Sequence, residues 1–348
     1  MLALLPVGSA ALALRLEDAG TPSAQARTRG QDAVWLGHAW VDGGKSAADL
    51  AALTRLMGGS PGSGGSGSGR SGAGGSVGAA PDLAVRDLYV HAGPLSDDGS
   101  LPASRYPRAG QLIAAVHQQL PGVRVQAWLG DLVEPEENGL NLDRADVRDR
   151  IAASVQQVLA AGFDGVHFDL EPVHSGSAGY LALLDQVHAL TAARGVPLSV
   201  AAPQIDPLPG LHRVGQLVAD HPKWWSQGYF GQVARRVDQI AVMSYDTGMP
   251  ARSLYSGYVA RQTTLALEAT PASVGLVMGL PAYYADQWGH RGSAETVAAA
   301  VRGVRLALGR RATDRADRSS FGVGMYADFS ASAADWAAYR RDWCGLPE

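Results

Sequence analysis

The run FDGVHFDLEP, residues 163–172, decides the fold. Val166, Phe168 and Leu170 alternate in it with His167, Asp169 and Glu171. Along a strand, successive side chains point to opposite faces. One face is then wholly apolar, and the other carries three ionisable groups. In a closed parallel barrel the apolar set packs on the surrounding helices and the ionisable set faces the barrel axis. Glu171 comes last, at the carboxyl end, where barrel active sites sit. Pro172 cannot donate to a ladder and suits the strand's end.

The same kind of run recurs along the chain. Strand-like segments fall at 33–41, 85–95, 123–132, 165–173, 197–204, 239–247, 273–284 and 321–329. Helix-like segments lie between them. The clearest, 143–162, carries Ile151, Val155, Val158 and Leu159 at helical spacing and stops at Gly162. Segments 177–194, 293–309 and 332–343 each open on a serine able to cap a helix. Eight such units predict an α/β fold, a (β/α)8 TIM barrel, as one domain over residues 31–348. A doubly wound sheet would be expected to carry a glycine-rich phosphate turn after its first strand, and none is present.

Composition sets further bounds. The 348 residues carry a formal net charge of −4, which argues against nucleic acid as a partner. Cys344 is the only cysteine, so no intrachain disulfide and no cysteine-based metal site can form. Residues 2–14, LALLPVGSAALAL, are an apolar run of signal-peptide length, too short to span a bilayer. Residues 1–30 are therefore expected to be a signal-like or disordered lead, and the protein secreted or in the cell envelope, with the cytoplasm as the alternative. Against this, no basic residue precedes Arg15. The Gly/Ser-rich stretch 58–81 lies between the first helix and the second strand. It reads as a flexible insertion in an αβ loop, on the barrel face away from catalysis.

Other strand ends add polar and aromatic groups. These are His38 and Trp40 on the first strand, Tyr89 and His91 on the second, and Gln126 and Trp128 on the third. Gln204 ends the fifth; Met243, Tyr245 and Asp246 end the sixth; Tyr283 and Tyr284 follow the seventh; Tyr326 and Asp328 end the eighth. Carboxylates, tyrosines and tryptophans around one mouth suit a sugar site. Aromatic faces stack on pyranose rings, and carboxylates bond hydroxyls or transfer protons. Burial and the neighbouring carboxylate should raise one pKa of the Asp169–Glu171 pair and ready Glu171 as a general acid.

The run Asp164–Glu171 resembles the DGxDxDxE signature of glycoside hydrolase family 18, the chitinase family, which carries it on the fourth barrel strand. Met243-Ser244-Tyr245-Asp246 resembles that family's MxYD on the sixth strand, and Gly279-Leu280-Pro281 with Tyr283 its GxPxY on the seventh. The resemblance implies substrate-assisted retention on β-linked N-acetylhexosamine glycans. Glu171 would be the acid, Asp169 would stabilise the acetamido group, Tyr245 would bond it, and Asp246 would bind the sugar. Met243, His167, Trp128, Gln204, Tyr283, Tyr326, His38 and Trp40 complete the expected substrate contacts. The partner would be an oligo- or polysaccharide and the chain a monomer. No metal or other cofactor is implied.

His167 departs from the pattern, since the family usually carries Asp there. That departure favours a catalytically weak or inactive carbohydrate-binding barrel as an alternative. A third reading is a metal-dependent hydrolase with His167, Asp169, Glu171 and His38 or His91 as ligands. Trp224 and Trp225 suit either a sugar platform or packing. Trp336, Tyr339 and Trp343 at helical spacing suit the barrel wall.

Overall fold

Eight parallel strands close into a barrel in the order β1-β10-β9-β8-β5-β4-β3-β2. These strands are β1 (Asp32–Leu36), β2 (Val85–His91), β3 (Arg124–Leu132), β4 (Gly165–Glu171), β5 (Leu198–Ala202), β8 (Gln239–Val242), β9 (Gly275–Pro281) and β10 (Phe321–Tyr326). A side ribbon pairs β6 (Gln204–Ile205) with β7 (Trp224–Trp225). This computed structural model describes residues 4–59, 83–213, 223–286, 289–310 and 319–346. The expected insertion at 58–81 lies, from residue 60 onward, outside the described residues.

The (β/α)8 reading holds, with shorter strands. The fifth run stops at Ala202, and Gln204 leaves the barrel to pair with Trp224. The sixth stops at Val242, so Met243 to Asp246 form the loop above the rim. The first stops at Leu36, and His38 and Trp40 belong to the turn and the short helix Ala39–Asp42 that follow. Two of the three serines cap as expected. Ser177 accepts from the backbone of Tyr180, and Ser332 forms a capping box with Asp335. Ser293 does not, because its helix starts later, at Val297.

Two cores follow from the alternation in each strand. Val34 and Leu36, Leu88 and Val90, and Val166, Phe168 and Leu170 face outward into the main core against the helices. Ala33, Trp35, Tyr89, Trp128, Ala241 and Val277 fill the barrel axis. Gly324 makes room for the largest of these, since a Cβ there would lie 2.4 Å from the Trp35 ring. Trp336, Tyr339 and Trp343 are buried in the wall, as their spacing predicts.

Leu4–Asp18 is a helix that lies against the helix Arg252–Ala269. Gly257 permits the approach, because a Cβ there would meet the Leu14 carbonyl oxygen at 1.9 Å. Arg302 donates to Asp18 Oδ1 at 2.8 Å, and Arg305 donates to the carbonyls of Ser23 and Ala26. Among the described residues no helix is long and apolar enough to cross a membrane.

Candidate active site

The floor of the site is a polar column along the axis. Asp87, fully buried, takes two hydrogen bonds from Arg124 at 2.7 and 2.8 Å and one each from Gln126 and Gln239. Tyr89 donates to Gln239 Oε1 at 2.7 Å, and Ser199 to Gln126 Oε1 at 3.0 Å. Above them lies His167, fully buried, its ring stacked on Tyr89 at 3.8 Å. Trp35 Nε1 donates to His167 Nε2 at 3.0 Å. Tryptophan can only donate, so Nε2 carries the lone pair and Nδ1 the proton. Nδ1–H then donates to Ser199 Oγ at 2.7 Å. Burial holds the ring neutral by pushing its pKa down to about 3.

This corrects the expected substrate-binding role of His167. It lies beneath the site with both nitrogens engaged, so it contacts no substrate and has no lone pair free for a metal. It does not hold Asp169 either. Trp128 does, its Nε1 donating to Asp169 Oδ2 at 2.9 Å. Trp128 is thus buried under the catalytic candidates and supports one of them.

Asp169 and Glu171 occupy successive inward positions of β4, partly buried at the rim. Burial, then the charge of Asp169 and a hydrogen bond with it, then Asp246, hold the Glu171 carboxyl well above its ordinary range. Burial also raises Asp169, against hydrogen bonds from Glu171 and Trp128 that lower it. Asp169 Oδ1 has no protein donor if both groups are ionised. A protonated Glu171 supplies the missing O–H, so the pair is best satisfied with one shared proton.

Tyr245 is buried over this pair, and Gly279 lets it in: a Cβ at that glycine would be 2.8 Å from the Tyr245 ring. Tyr245 stacks on Tyr326 at 5.2 Å and meets Tyr283 edge to face at 5.9 Å. Burial raises all three phenol pKa values, so each is a neutral hydrogen-bonding hydroxyl. Tyr326 is also close to Trp35 and Trp128, which closes an aromatic wall around the two acids. Asp246 accepts from Tyr283 at 2.6 Å and is half exposed to the mouth, while Met243 is partly buried beside it.

Two other expected contacts lie elsewhere. Gln204 is buried, accepts from Tyr258 at 2.7 Å and donates to the Tyr245 carbonyl. It therefore holds the loop and does not face a ligand. Trp40 is buried outside the barrel axis, its indole N–H bonded to Asp328 at 2.7 Å. His38 bonds the His91 carbonyl at 3.0 Å from the turn after β1. Trp225 packs, donating to the Val173 carbonyl at 2.6 Å, and Trp224 bonds Tyr258.

The sequence reading missed Trp35, Ser199, His290 and Glu295. Trp35 had a signal: it shares strand parity with Ala33 and Gly37, opposite Val34 and Leu36, so it was the inward residue. His290 and Glu295 lie in a loop with no periodicity to read.

No protein-family model matches the sequence, and no curated protein matches it. Among solved structures the chain is similar to the spore cortex-lytic enzyme SleL of Bacillus cereus. The identity is 12% over 90% of this chain and 74% of that one, with a TM-score of 0.55. It is similar to a chitinase of Chromobacterium violaceum at 16% identity, over 90% of this chain and 98% of that one, TM-score 0.54. A class V chitinase of Pseudomonas fluorescens gives 14% identity, 89% and 98% coverage, and a TM-score of 0.55. At these identities the likeness is one of fold: the chain shares the (β/α)8 barrel of these enzymes.

Proposed function

We propose that this protein is a glycosidase of family-18 type that cleaves β-linked N-acetylhexosamine glycans by substrate-assisted retention. The observation that carries the reading is the Asp169–Glu171 pair at the barrel rim, where burial and the Asp169 carboxylate raise the Glu171 pKa. A carboxylic acid poised in this way can donate its proton to a glycosidic oxygen near neutral pH.

In the first step the proton of Glu171 passes to the leaving oxygen as the bond to the anomeric carbon breaks. The substrate's own acetamido oxygen forms the new bond to that carbon, giving an oxazolinium ion. Asp169, kept in place by the Trp128 N–H, accepts from the acetamido N–H and offsets the positive charge. Tyr245 donates its hydroxyl to the acetamido oxygen. Water then attacks the anomeric carbon, the bond from that carbon to the acetamido oxygen breaks and restores the acetamido group, and the water's proton passes to the Glu171 carboxylate. The aromatic wall of Tyr245, Tyr283 and Tyr326 provides apolar faces and neutral hydroxyls for the sugar. Such a substrate would place the protein at or outside the cell envelope.

The test is hydrolysis of a panel of N-acetylglucosamine-containing and acetamido-free oligosaccharides by wild type and Glu171→Gln. The reading expects cleavage of the acetamido substrates alone, and its loss in Glu171→Gln. Cleavage of acetamido-free substrates, or turnover that survives the substitution, would overturn it.

A further inference from the structure

We infer that His290 is a positioning residue for Asp246, its ring bridging that rim carboxylate to the buried Glu295. Its consequence for turnover rests on the glycosidase reading, while the bridge itself does not.

His290 and Glu295 are both fully buried. His290 Nδ1 lies 3.1 Å from Asp246 Oδ1 and 3.5 Å from Glu295 Oε2. Neither contact is a well-aligned hydrogen bond, and both are ion pairs when the ring carries its second proton. Nε2 has no partner among the described residues, and the ring is held through Nδ1 and its stacking on Tyr283 at 4.2 Å. Tyr283 donates at 2.6 Å to the same oxygen of Asp246. Glu295 in turn accepts the backbone N–H groups of Thr247 at 3.1 Å and Gly248 at 2.9 Å, the two residues after Asp246. Glu295 thus fixes the loop backbone while His290 and Tyr283 fix the side chain.

Asp246 needs fixing. Its φ of 57° lies in the left-handed region, which a residue with a Cβ keeps only when its surroundings impose it. Two carboxylates this close would also repel without a cation between them. Burial alone would push the His290 pKa down, but Asp246 and Glu295 lift it to about 9. The other groups around the cluster are Tyr283, Lys223, Tyr255, Tyr258 and Arg291. Lys223 donates to the Thr247 carbonyl at 3.4 Å, and Arg291 gives its backbone N–H to Glu295. Tyr255 and Tyr258 feel the charge of Glu295 from the helix Arg252–Ala269. The ligand atoms of Asp246, His290 and Glu295 lie within 4.8 Å of one another, so a divalent metal is the rival occupant.

The test follows the His290 ring by NMR in the intact protein, without substrate, from pH 6 to 10. The ring should titrate near pH 9 and fall by about one unit or more in Asp246→Asn. A ring that titrates at or below the ordinary histidine value, or is unmoved in Asp246→Asn, would sink the bridge. So would Zn²⁺ that copurifies at one per chain and is lost in His290→Gln. For turnover, His290→Gln should lower kcat/KM about tenfold. It should also move the basic limb to higher pH, because the charge of Asp246, no longer offset, holds the Glu171 proton more tightly. A merely structural role would lower Tm without moving that limb, and would overturn the positioning role. If the glycosidase reading itself is wrong, no variant turns over, while the NMR titration still reports the bridge.

Discussion

The indole N–H of Trp35 meets Nε2 of His167 at 3.0 Å, and that contact settles which way the histidine's proton points. It makes the one departure from the family pattern in β4 a neutral part of the barrel interior. An acid-stability signature follows. Unfolded, His167 takes a proton below its ordinary value of 6.5; folded, it resists until about 3. Between those values the unfolded chain binds the extra proton, so this group's contribution is present above 6.5 and is lost as pH falls. His167→Gln can still accept from Trp35 and donate to Ser199. Urea unfolding at pH 7, 5 and 4 should find wild type losing stability faster than the variant, by up to about 1.4 kcal/mol per pH unit. Equal losses in the two proteins would exclude this account of His167.

The pH dependence of turnover should be set from the other side. The raised carboxyl of Glu171 is the active form, so kcat/KM should hold at neutral pH and fall as pH rises through its pKa. Asp169 is one reason that pKa is high. Asp169→Asn should therefore move the basic limb to lower pH as well as cut kcat about a hundredfold or more. Initial-rate profiles on an N-acetylglucosamine oligomer would check both, and a limb unmoved by Asp169→Asn would separate the two groups electrically.

The barrel and its β4 acids were legible because both rest on period-two alternation, which a sequence displays directly. The fate of His167 was not. Parity placed it inward, but only the neighbouring strands decide whether an inward group meets Asp169, or Trp35 and Ser199. Trp40 failed for a related reason: the first strand was read past Leu36 into a turn, where alternation no longer assigns a face. Gln204 was placed at the right strand end, yet that residue leaves the barrel for a two-residue ribbon and is buried under the loop it supports.

Trp128 should behave as the partner of Asp169 and not as a sugar contact. Trp128→Phe keeps most of the ring and removes the N–H that reaches Asp169 Oδ2 at 2.9 Å. A hydrogen bond to a charged group contributes about 1.5–3 kcal/mol. The loss should therefore lower kcat by about ten- to a hundredfold with KM nearly unchanged. A rise in KM at constant kcat would instead mark Trp128 as part of the binding surface.

The N-terminal helix offers a test whose sign reverses. In the full chain, alanine at Gly257 would put its Cβ 1.9 Å from the Leu14 carbonyl oxygen, with Asp18 N also close. The three atoms nearest that Cβ all belong to the helix Leu4–Asp18. Gly257→Ala should therefore push that helix off and lower Tm by a few degrees, about 1–3 kcal/mol of overpacking. In a chain truncated to begin at Arg27, the obstruction is gone. There the same substitution places alanine in an open helix and should raise stability by up to about 1 kcal/mol. The truncation itself should lower Tm, since Arg302 and Arg305 lose the groups they bind between Asp18 and Ala26. Calorimetry on the four proteins of this cycle measures the coupling directly. If Gly257→Ala has the same sign in both backgrounds, the helix does not pack on the barrel wall as described.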